Sequence, residues 1–148
     1  MNLQENLKFK GQVSITLYDR NGNIKDARNI PNLVVTAGKN YIASRIVGTA
    51  SDVMSHMGIG TSAASPGAGD TDLTTPTGTR AALTSFSATT NVVTSTATFE
   101  SGNGTGSIQE AGIFNASTSG TMLCRTTFPV VTKGAGDSIA ITWTITVS

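Results

Sequence analysis

Apolar and polar residues alternate along several short stretches of the chain, most clearly at its C-terminal end. From residue 137 to residue 148 the sequence reads DSIAITWTITVS, in which every second residue is large and apolar: Ile139, Ile141, Trp143, Ile145 and Val147. A period of two, carried by β-branched and aromatic residues, is typical of a strand with one buried face. We therefore expect this strand to be paired inside a sheet, and the protein to close there without a C-terminal tail or a second domain.

The same alternation predicts further strands, separated by turns. They cover residues 12–18, 24–30, 53–59, 80–86, 91–100, 107–115 and 121–131, with a short apolar run at 33–35. Asn21 and Gly22 form a hairpin signal, because both residue types tolerate a positive φ. Residues 80–86 and 91–100 are predicted to pair with each other. Strands at intervals of about ten residues indicate a mainly β protein, an antiparallel β-sandwich or a barrel-like closure of it.

Residues 37–47 have the pattern of a helix instead. Ile42 and Ile46 lie four residues apart, so they share one face of a helix. Thr36 stands where a helix cap is expected, and Gly48 stands where a helix would end. The sequence therefore predicts one short α-helix within the β fold.

Two stretches lack a regular pattern. Residues 60–79 are rich in Gly, Ala, Ser, Thr and Pro, which predicts a long loop of the kind that is either functional or mobile. Residues 1–10 are polar with scattered Leu and Phe, and we expect a flexible N-terminal arm there. The remaining residues, 11–148, are enough for a single domain with one core.

Composition narrows the partners that the protein is expected to have. Charged residues make up 13% of the 148 residues, against roughly 25% in typical soluble domains. The net charge of +1 gives no electrostatic reason to bind a nucleic-acid backbone. No apolar run approaches the roughly 18 residues of a membrane helix, and the N-terminus lacks the apolar core of a signal peptide. We expect synthesis in a cytoplasm and neither nucleic acid nor membrane as a partner.

Residues able to carry chemistry are few. Cys124 is the only cysteine, which excludes an internal disulfide, and its strand-like surroundings predict a buried free thiol. His56 is the only histidine, and we interpret it as an ordinary strand residue, because one His and one Cys are too few for a zinc site. The chain also lacks a G-x-S-x-G nucleophile motif and a phosphate-binding loop. We therefore expect no enzymatic activity and no cofactor.

Asp70 and Asp72 form a D-x-D pattern inside the long loop. Two carboxylates with neighbouring Thr hydroxyls could hold calcium, an ion that prefers oxygen ligands. The pattern lacks the full ligand set of an EF-hand. We therefore prefer the interpretation that the two aspartates form turns.

Glu100 and Glu110 flank the turn at 101–106 and are predicted to face each other across a hairpin. Paired carboxylates occur in glycosidases, but the chain has few aromatic residues for stacking on sugars. The other interpretation is that Glu110 forms a partly buried ion pair, with either Arg80 or Arg125 as its partner.

Three segments, taken in order, resemble small structural proteins of tailed bacteriophages. The first is GQVSITLYDRNGNIKDARNIPNLVVTAGKNYIASRIVG, a hairpin followed by a helix. The second, MGIGTSAASPGAGDTDLTTP, is similar to their pattern GxGTxxxxPxxxDTxL. The third runs from SIQEAGIF to the C-terminus and resembles I-x-E-A-G-I-F, M-x-x-R-x-x-F and a final I-x-W-x-I strand. In such proteins a Glu often stands shortly before an Arg, whereas here TTPTGT precedes Arg80.

The resemblance implies a virion protein made in the host cytoplasm. As a capsid decoration (cement) protein, it would bind the outer capsid surface and stabilise contacts between capsomers of the major capsid protein. It would also form a homo-oligomer, a dimer or trimer on a local symmetry axis. Candidate contact residues lie in the arm and the long loop: Leu3, Leu7, Lys8, Phe9, Lys10, Pro66, Asp70, Asp72 and Leu73.

Two alternatives stay open. One is a tail-fibre or head-fibre component with a role in adhesion. The other is a carbohydrate-binding module, which needs exposed aromatic side chains in a row. The pattern instead assigns the large aromatic residues to the core: Phe99, Phe114, Phe128 and Trp143.

Overall fold

The computed structural model describes residues 3–49 and 52–148. Strands follow one another along nearly all of this length: β1 (Phe9–Tyr18), β2 (Ile24–Pro31), β3 (Leu33–Val34), β4 (His56–Gly60), β5 (Pro76–Ala82), β6 (Ser85–Thr89), β7 (Val92–Phe99), β8 (Gly106–Phe114), β9 (Met122–Lys133) and β10 (Ser138–Val147). The helix α1 (Thr36–Ile46) lies between β3 and β4.

The strands form two antiparallel sheets of five strands each. Their orders are β2-β1-β10-β7-β6 in the first sheet and β3-β9-β8-β4-β5 in the second. One apolar core fills the space between the sheets, with Val13 and Trp143 from the first and Ile59 and Ile113 from the second. The predicted mainly β fold with one short helix is confirmed, and its form is a sandwich of two sheets.

The C-terminal strand β10 occupies the middle of the first sheet. It pairs with β1 on one side and with β7 on the other. Ile139, Ile141 and Trp143 are at most 1% exposed, because they point from this middle strand into the core. The prediction that the alternating C-terminal segment is paired inside a sheet is confirmed.

The N-terminal arm is shorter than predicted. Phe9 lies opposite Val147, and Lys8 and Ser148 exchange two backbone hydrogen bonds of 2.6 and 2.8 Å. Phe9 continues the inward-facing row of β1, which is why the sheet extends into the predicted arm. The prediction of an arm over 1–10 is therefore wrong at its C-terminal end. The described part of the arm is residues 3–7, and its first two residues lie outside the described range.

The helix begins differently from the prediction. Thr36 is the first helical residue, and Val35 takes the cap position without a side-chain hydrogen bond. Instead, the backbone N–H of Thr36 donates to the carbonyl of Ala68 in the long loop at 2.8 Å. Gly48, with φ +70°, donates to the Arg45 carbonyl and ends the helix as predicted.

Within residues 3–49 and 52–148, no helix has the length and hydrophobicity needed to cross a membrane.

The predicted strand at 80–86 is in fact parts of two strands in different sheets. β5 pairs with β4 in the second sheet, whereas β6 pairs with β7 in the first. The chain changes sheets at Leu83, whose N–H donates to Ser55, and at Thr84, whose N–H donates to Thr96. The prediction that 80–86 pairs with 91–100 is therefore correct only for the residues of β6.

Candidate functional site

The long loop between β4 and β5 packs on the outer face of the second sheet. It covers residues 61–75, because β4 extends to Gly60 and β5 begins at Pro76, so the predicted range of 60–79 is too long. The two ends of the loop meet where the N–H of Thr61 donates to the carbonyl of Thr75 at 2.9 Å. We call residues 61–75 the anchored loop.

Leu73 fixes the anchored loop through apolar contact. It is 6% exposed and packs in a second apolar cluster with Val35, Phe114 and Met122. This cluster is separate from the core between the sheets. The second sheet therefore buries both of its faces, one against the first sheet and the other beneath the anchored loop.

Glu110 of β8 is the acidic centre of the contact between sheet and loop. Its side chain is 0% exposed, and its carboxylate accepts hydrogen bonds from the backbone N–H groups of Thr74 at 3.0 Å and Thr75 at 2.7 Å. Arg125 of β9 donates to the same carboxylate from Nε at 3.1 Å and from Nη2 at 2.8 Å. The buried charge is thus fully paired, as a carboxylate in a low-dielectric environment requires.

Arg125 connects this carboxylate to the rest of the anchored loop. Its side chain is 1% exposed and donates to Asp70 Oδ2 at 2.9 Å, to the Ala64 carbonyl at 2.9 Å and to Thr74 Oγ1 at 3.1 Å. The prediction of a buried ion pair for Glu110 is confirmed, with Arg125 rather than Arg80 as the partner. One guanidinium holds the loop at three separate points.

Arg80 of β5 makes a second contact with the anchored loop. Its guanidinium carbon lies 3.4 Å from the centroid of the Phe114 ring, a cation–π arrangement. It also donates to Asp72 at 3.4 Å, eight residues earlier in the chain, and to the carbonyls of Ala116 and Ser119. Asp72 therefore supplies the acidic partner that the stretch immediately before Arg80 lacks.

Asp70 and Asp72 are held by different arginines, Arg125 and Arg80 respectively. Asp70 Oδ2 also accepts the backbone N–H of Gly67 at 2.9 Å, as in a turn that is closed by an aspartate. Among the described residues, no group of three or more His, Cys, Asp or Glu side chains is placed to hold a metal ion. These contacts favour the turn-forming interpretation of the D-x-D pattern.

Glu100 and Glu110 do not form a pair. Glu100 follows the last residue of β7 in the first sheet, whereas Glu110 lies in β8 of the second sheet. Residues 101–105 therefore cross from one sheet to the other and do not form a hairpin turn. The prediction that the two glutamates face each other is wrong. A glycine-rich turn has the same sequence pattern in a hairpin within one sheet and in a connection between two sheets.

Cys124 and His56 have ordinary structural roles in the described part of the chain. Cys124 is free and 0% exposed, as predicted, and burial raises the pKa of its thiol well above the usual range. His56 is half-buried in β4, where its Nδ1 lies 2.8 Å from the hydroxyl oxygen of the adjacent Ser55.

Several residues that carry the resemblance to phage proteins lie in the core between the sheets, for example Ile113, Phe128 and Trp143. A further group, from the second and third segments, lies together at the anchored loop. Its members are Gly58, Gly60, Thr61, Pro66, Asp70 and Leu73 from the second segment, and Glu110, Gly112, Phe114, Met122 and Arg125 from the third. A Cβ atom at Gly60 would collide with Glu110 Oε1 and with the Thr75 carbonyl, so only glycine fits there. This part of the motifs thus forms one structural unit, which the sequence pattern alone does not reveal.

An apolar cavity of about 290 Å³ opens at the end of the sandwich where β1 begins. Apolar side chains line nearly all of it, among them Phe9, Ile42, Val53, Phe86, Leu123 and Val147. The walls come from both sheets and from α1, so the cavity marks an end where the two sheets are not fully closed. No sequence motif pointed to it. We call this feature the end cavity.

The candidate contact residues differ in how accessible they are. Leu3, Leu7, Lys8, Lys10 and Asp72 are exposed, whereas Pro66 and Asp70 are half-buried. Leu73 lies in the cluster beneath the anchored loop, and Phe9 packs against the core of its own domain. The last two residues therefore contribute to the fold and offer little contact surface.

Comparison of the chain with protein-family models, with curated proteins and with solved structures gives no match. The resemblance to virion proteins therefore stays a prediction. Its support lies in the residue pattern alone.

Proposed function

We propose that this protein is a non-enzymatic component of a tailed-bacteriophage virion that binds the outer surface of the capsid and stabilises contacts between capsomers. The observation that carries the proposal is the anchored loop, which the second segment of the resemblance forms and part of the third segment supports. A loop held by Glu110, Arg125 and Leu73 presents one fixed surface, and a fixed surface loses little entropy on binding.

A decoration protein acts by adding interface, not by catalysis. Each copy ties together capsid subunits that are already held close, so even a weak contact operates at a high effective concentration. A low-charge β-sandwich suits this role because it tolerates close packing beside its neighbours. The four aromatic side chains assigned to the core are buried, as predicted, whereas Phe86 is exposed: the four are Phe99, Phe114, Phe128 and Trp143. A row of sugar-stacking aromatics therefore cannot be built from them, which leaves the carbohydrate-binding alternative with less support.

A basic groove offers a contact surface for the capsid. It has a volume of about 480 Å³ and lies where β1 begins, with Lys8, Lys10 and Lys39 in its lining. Four other basic residues of the described chain form ion pairs, for example Lys25 with Asp137 and Arg28 with Asp26. The three groove lysines form no ion pair within the described residues. We propose that they meet an acidic patch on the major capsid protein.

Binding to capsids that lack this protein tests the proposal. The double variant Lys10→Gln/Lys39→Gln is expected to bind such particles about tenfold more weakly, which corresponds to about 1.4 kcal/mol. Wild-type binding is expected to weaken as salt concentration rises, because exposed charges are screened. The measurement is co-sedimentation of purified protein with particles over a range of protein concentrations.

The matched control is Arg20→Gln/Lys25→Gln. It removes two positive charges at the opposite end of β1, beside the turn to β2. Its binding is expected to stay within twofold of wild type, and melting curves check that both variants are folded. Equal weakening by the two variants would contradict the lysine groove as the contact. Failure of the wild-type protein to sediment with particles would contradict the capsid role itself.

A further inference from the structure

Exposed apolar side chains are concentrated at one end of the sandwich. Val53 and Phe86, at the rim of the end cavity, are 52% and 43% exposed. Ile46 is 82% exposed and follows Ile42 by one turn on the same face of α1. Such a concentration of apolar surface is typical of an interaction site rather than of a free protein surface.

The N-terminal segment carries apolar side chains that also have no cover in the isolated chain. Leu3 is 90% exposed and Leu7 is 61% exposed. Phe9 of the same chain already lines the end cavity, whereas Leu7 lies outside it, in the lining of the basic groove. The segment therefore starts beside the cavity but does not fill it.

We propose that the N-terminal segment of one copy inserts Leu3 and Leu7 into the end cavity of a second copy. Each chain offers one such segment and one such cavity. A reciprocal exchange between two chains gives a dimer, and an exchange passed from chain to chain gives a closed ring. Five extended residues reach at most about 18 Å, enough to bridge two molecules in contact.

A second copy fits the end cavity better than a small ligand does. Sites for small molecules usually combine apolar walls with several polar groups that orient the ligand. Here Ser95 and Tyr41 are the described lining residues that carry a polar group on their side chain. A leucine side chain needs no polar partner, and each copy of the chain brings one leucine-bearing segment for one end cavity. Leu7 also lines the basic groove, so the two proposed contacts adjoin. Their tests are still separate, because the capsid contact is tested at Lys10 and Lys39 and the exchange at Leu3 and Leu7.

The first test is the oligomeric state of the full chain, measured by light scattering after size exclusion over a range of concentrations. We expect the wild-type protein to form a dimer or a small ring. In the variant Leu3→Asp/Leu7→Asp, the protein concentration at which half of the oligomer has dissociated is expected to rise at least tenfold. The variant is therefore expected to be monomeric at concentrations at which the wild-type protein is oligomeric. A monomeric wild-type protein at millimolar concentration would overturn the proposal, as would an oligomer that persists in the variant.

The matched control is Ile24→Asp/Val130→Asp. These side chains are 63% and 42% exposed and lie away from the end cavity. The control therefore adds the same charge at two other exposed apolar positions, and it is expected to keep the wild-type oligomeric state. Loss of the oligomer in this control as well would show a nonspecific effect of charge and overturn the assignment to the N-terminal segment.

Disulfide cross-linking then tests the contact directly. Leu3→Cys and Val53→Cys proteins, mixed and oxidised, are expected to form a mixed dimer that mass spectrometry identifies. Cys124 does not interfere, because it is 0% exposed. A mixture of Leu3→Cys with Ile24→Cys is the control and is expected to give at most one tenth of that product. Equal yields from the two mixtures would overturn the proposed contact.

Discussion

Replacing Arg125 with Met is expected to destabilise the protein by about 3–5 kcal/mol, because it leaves a buried carboxylate without its partner. Glu110 is 0% exposed and would keep only the hydrogen bonds from the backbone of Thr74 and Thr75. Asp70 and the Ala64 carbonyl would lose the hydrogen bonds that Arg125 donates to them. The anchored loop is therefore expected to detach from the sheet before the rest of the fold unfolds.

Urea unfolding and limited proteolysis measure the two parts of this prediction. We expect a lower unfolding midpoint and new cleavage sites within residues 61–75. Replacing both charges, as in Glu110→Leu/Arg125→Met, is expected to recover part of the lost stability, since no unpaired charge remains. Lys25→Met removes an ion pair whose lysine is 46% exposed, and its cost is expected to stay below about 1 kcal/mol. An Arg125→Met protein with wild-type stability and protease resistance would contradict the role given to this network.

Replacing Trp143 with Ala is expected to cost about 3–5 kcal/mol, because it opens a large void in the middle strand of the first sheet. Trp143 is 0% exposed and lies opposite Val13 on β1 and Ser95 on β7. Its indole N–H is buried and has no hydrogen-bond partner within the described residues. Trp143→Phe is therefore expected to cost less than the loss of volume alone suggests, since it also removes an unpaired donor.

Circular dichroism during denaturant unfolding is the suitable measurement, because both variants lack the only tryptophan. Ile24→Ala serves as the control in the same sheet, where the side chain is 63% exposed. Its effect is expected to stay within about 0.5 kcal/mol. A Trp143→Ala protein that unfolds at the wild-type denaturant concentration would contradict the position of β10 in the core.

The sandwich was predictable from the sequence because strand alternation is a local property. In β1 and β10, the apolar residues at every second position are the ones that face the core. Alternation does not specify which sheet a strand joins. Residues 80–86 therefore looked like one strand, although the chain changes sheets at Leu83 and Thr84. For the same reason, the glycine-rich pattern at 101–106 predicts a hairpin, although the chain crosses there from one sheet to the other.

The anchored loop was only partly predictable, because its contacts join residues that are far apart in the chain. Glu110 and Arg125 are 15 residues apart, and Asp70 and Arg125 are 55 apart. The sequence indicated that Glu110 needs a cationic partner but left two arginines open. It gave no sign that the backbone N–H groups of Thr74 and Thr75 complete the carboxylate's hydrogen bonds. The end cavity was not predictable at all, since it results from how two sheets and a helix meet.

Immunogold labelling of intact phage particles whose genome encodes this chain tests the central proposal most directly. An antibody raised against the purified protein should place gold over the whole head surface, as many decorating copies would. Gold confined to the tail tip or to sparse head projections would contradict the decoration role and favour the fibre alternative. Particles without any label would contradict a place in the virion.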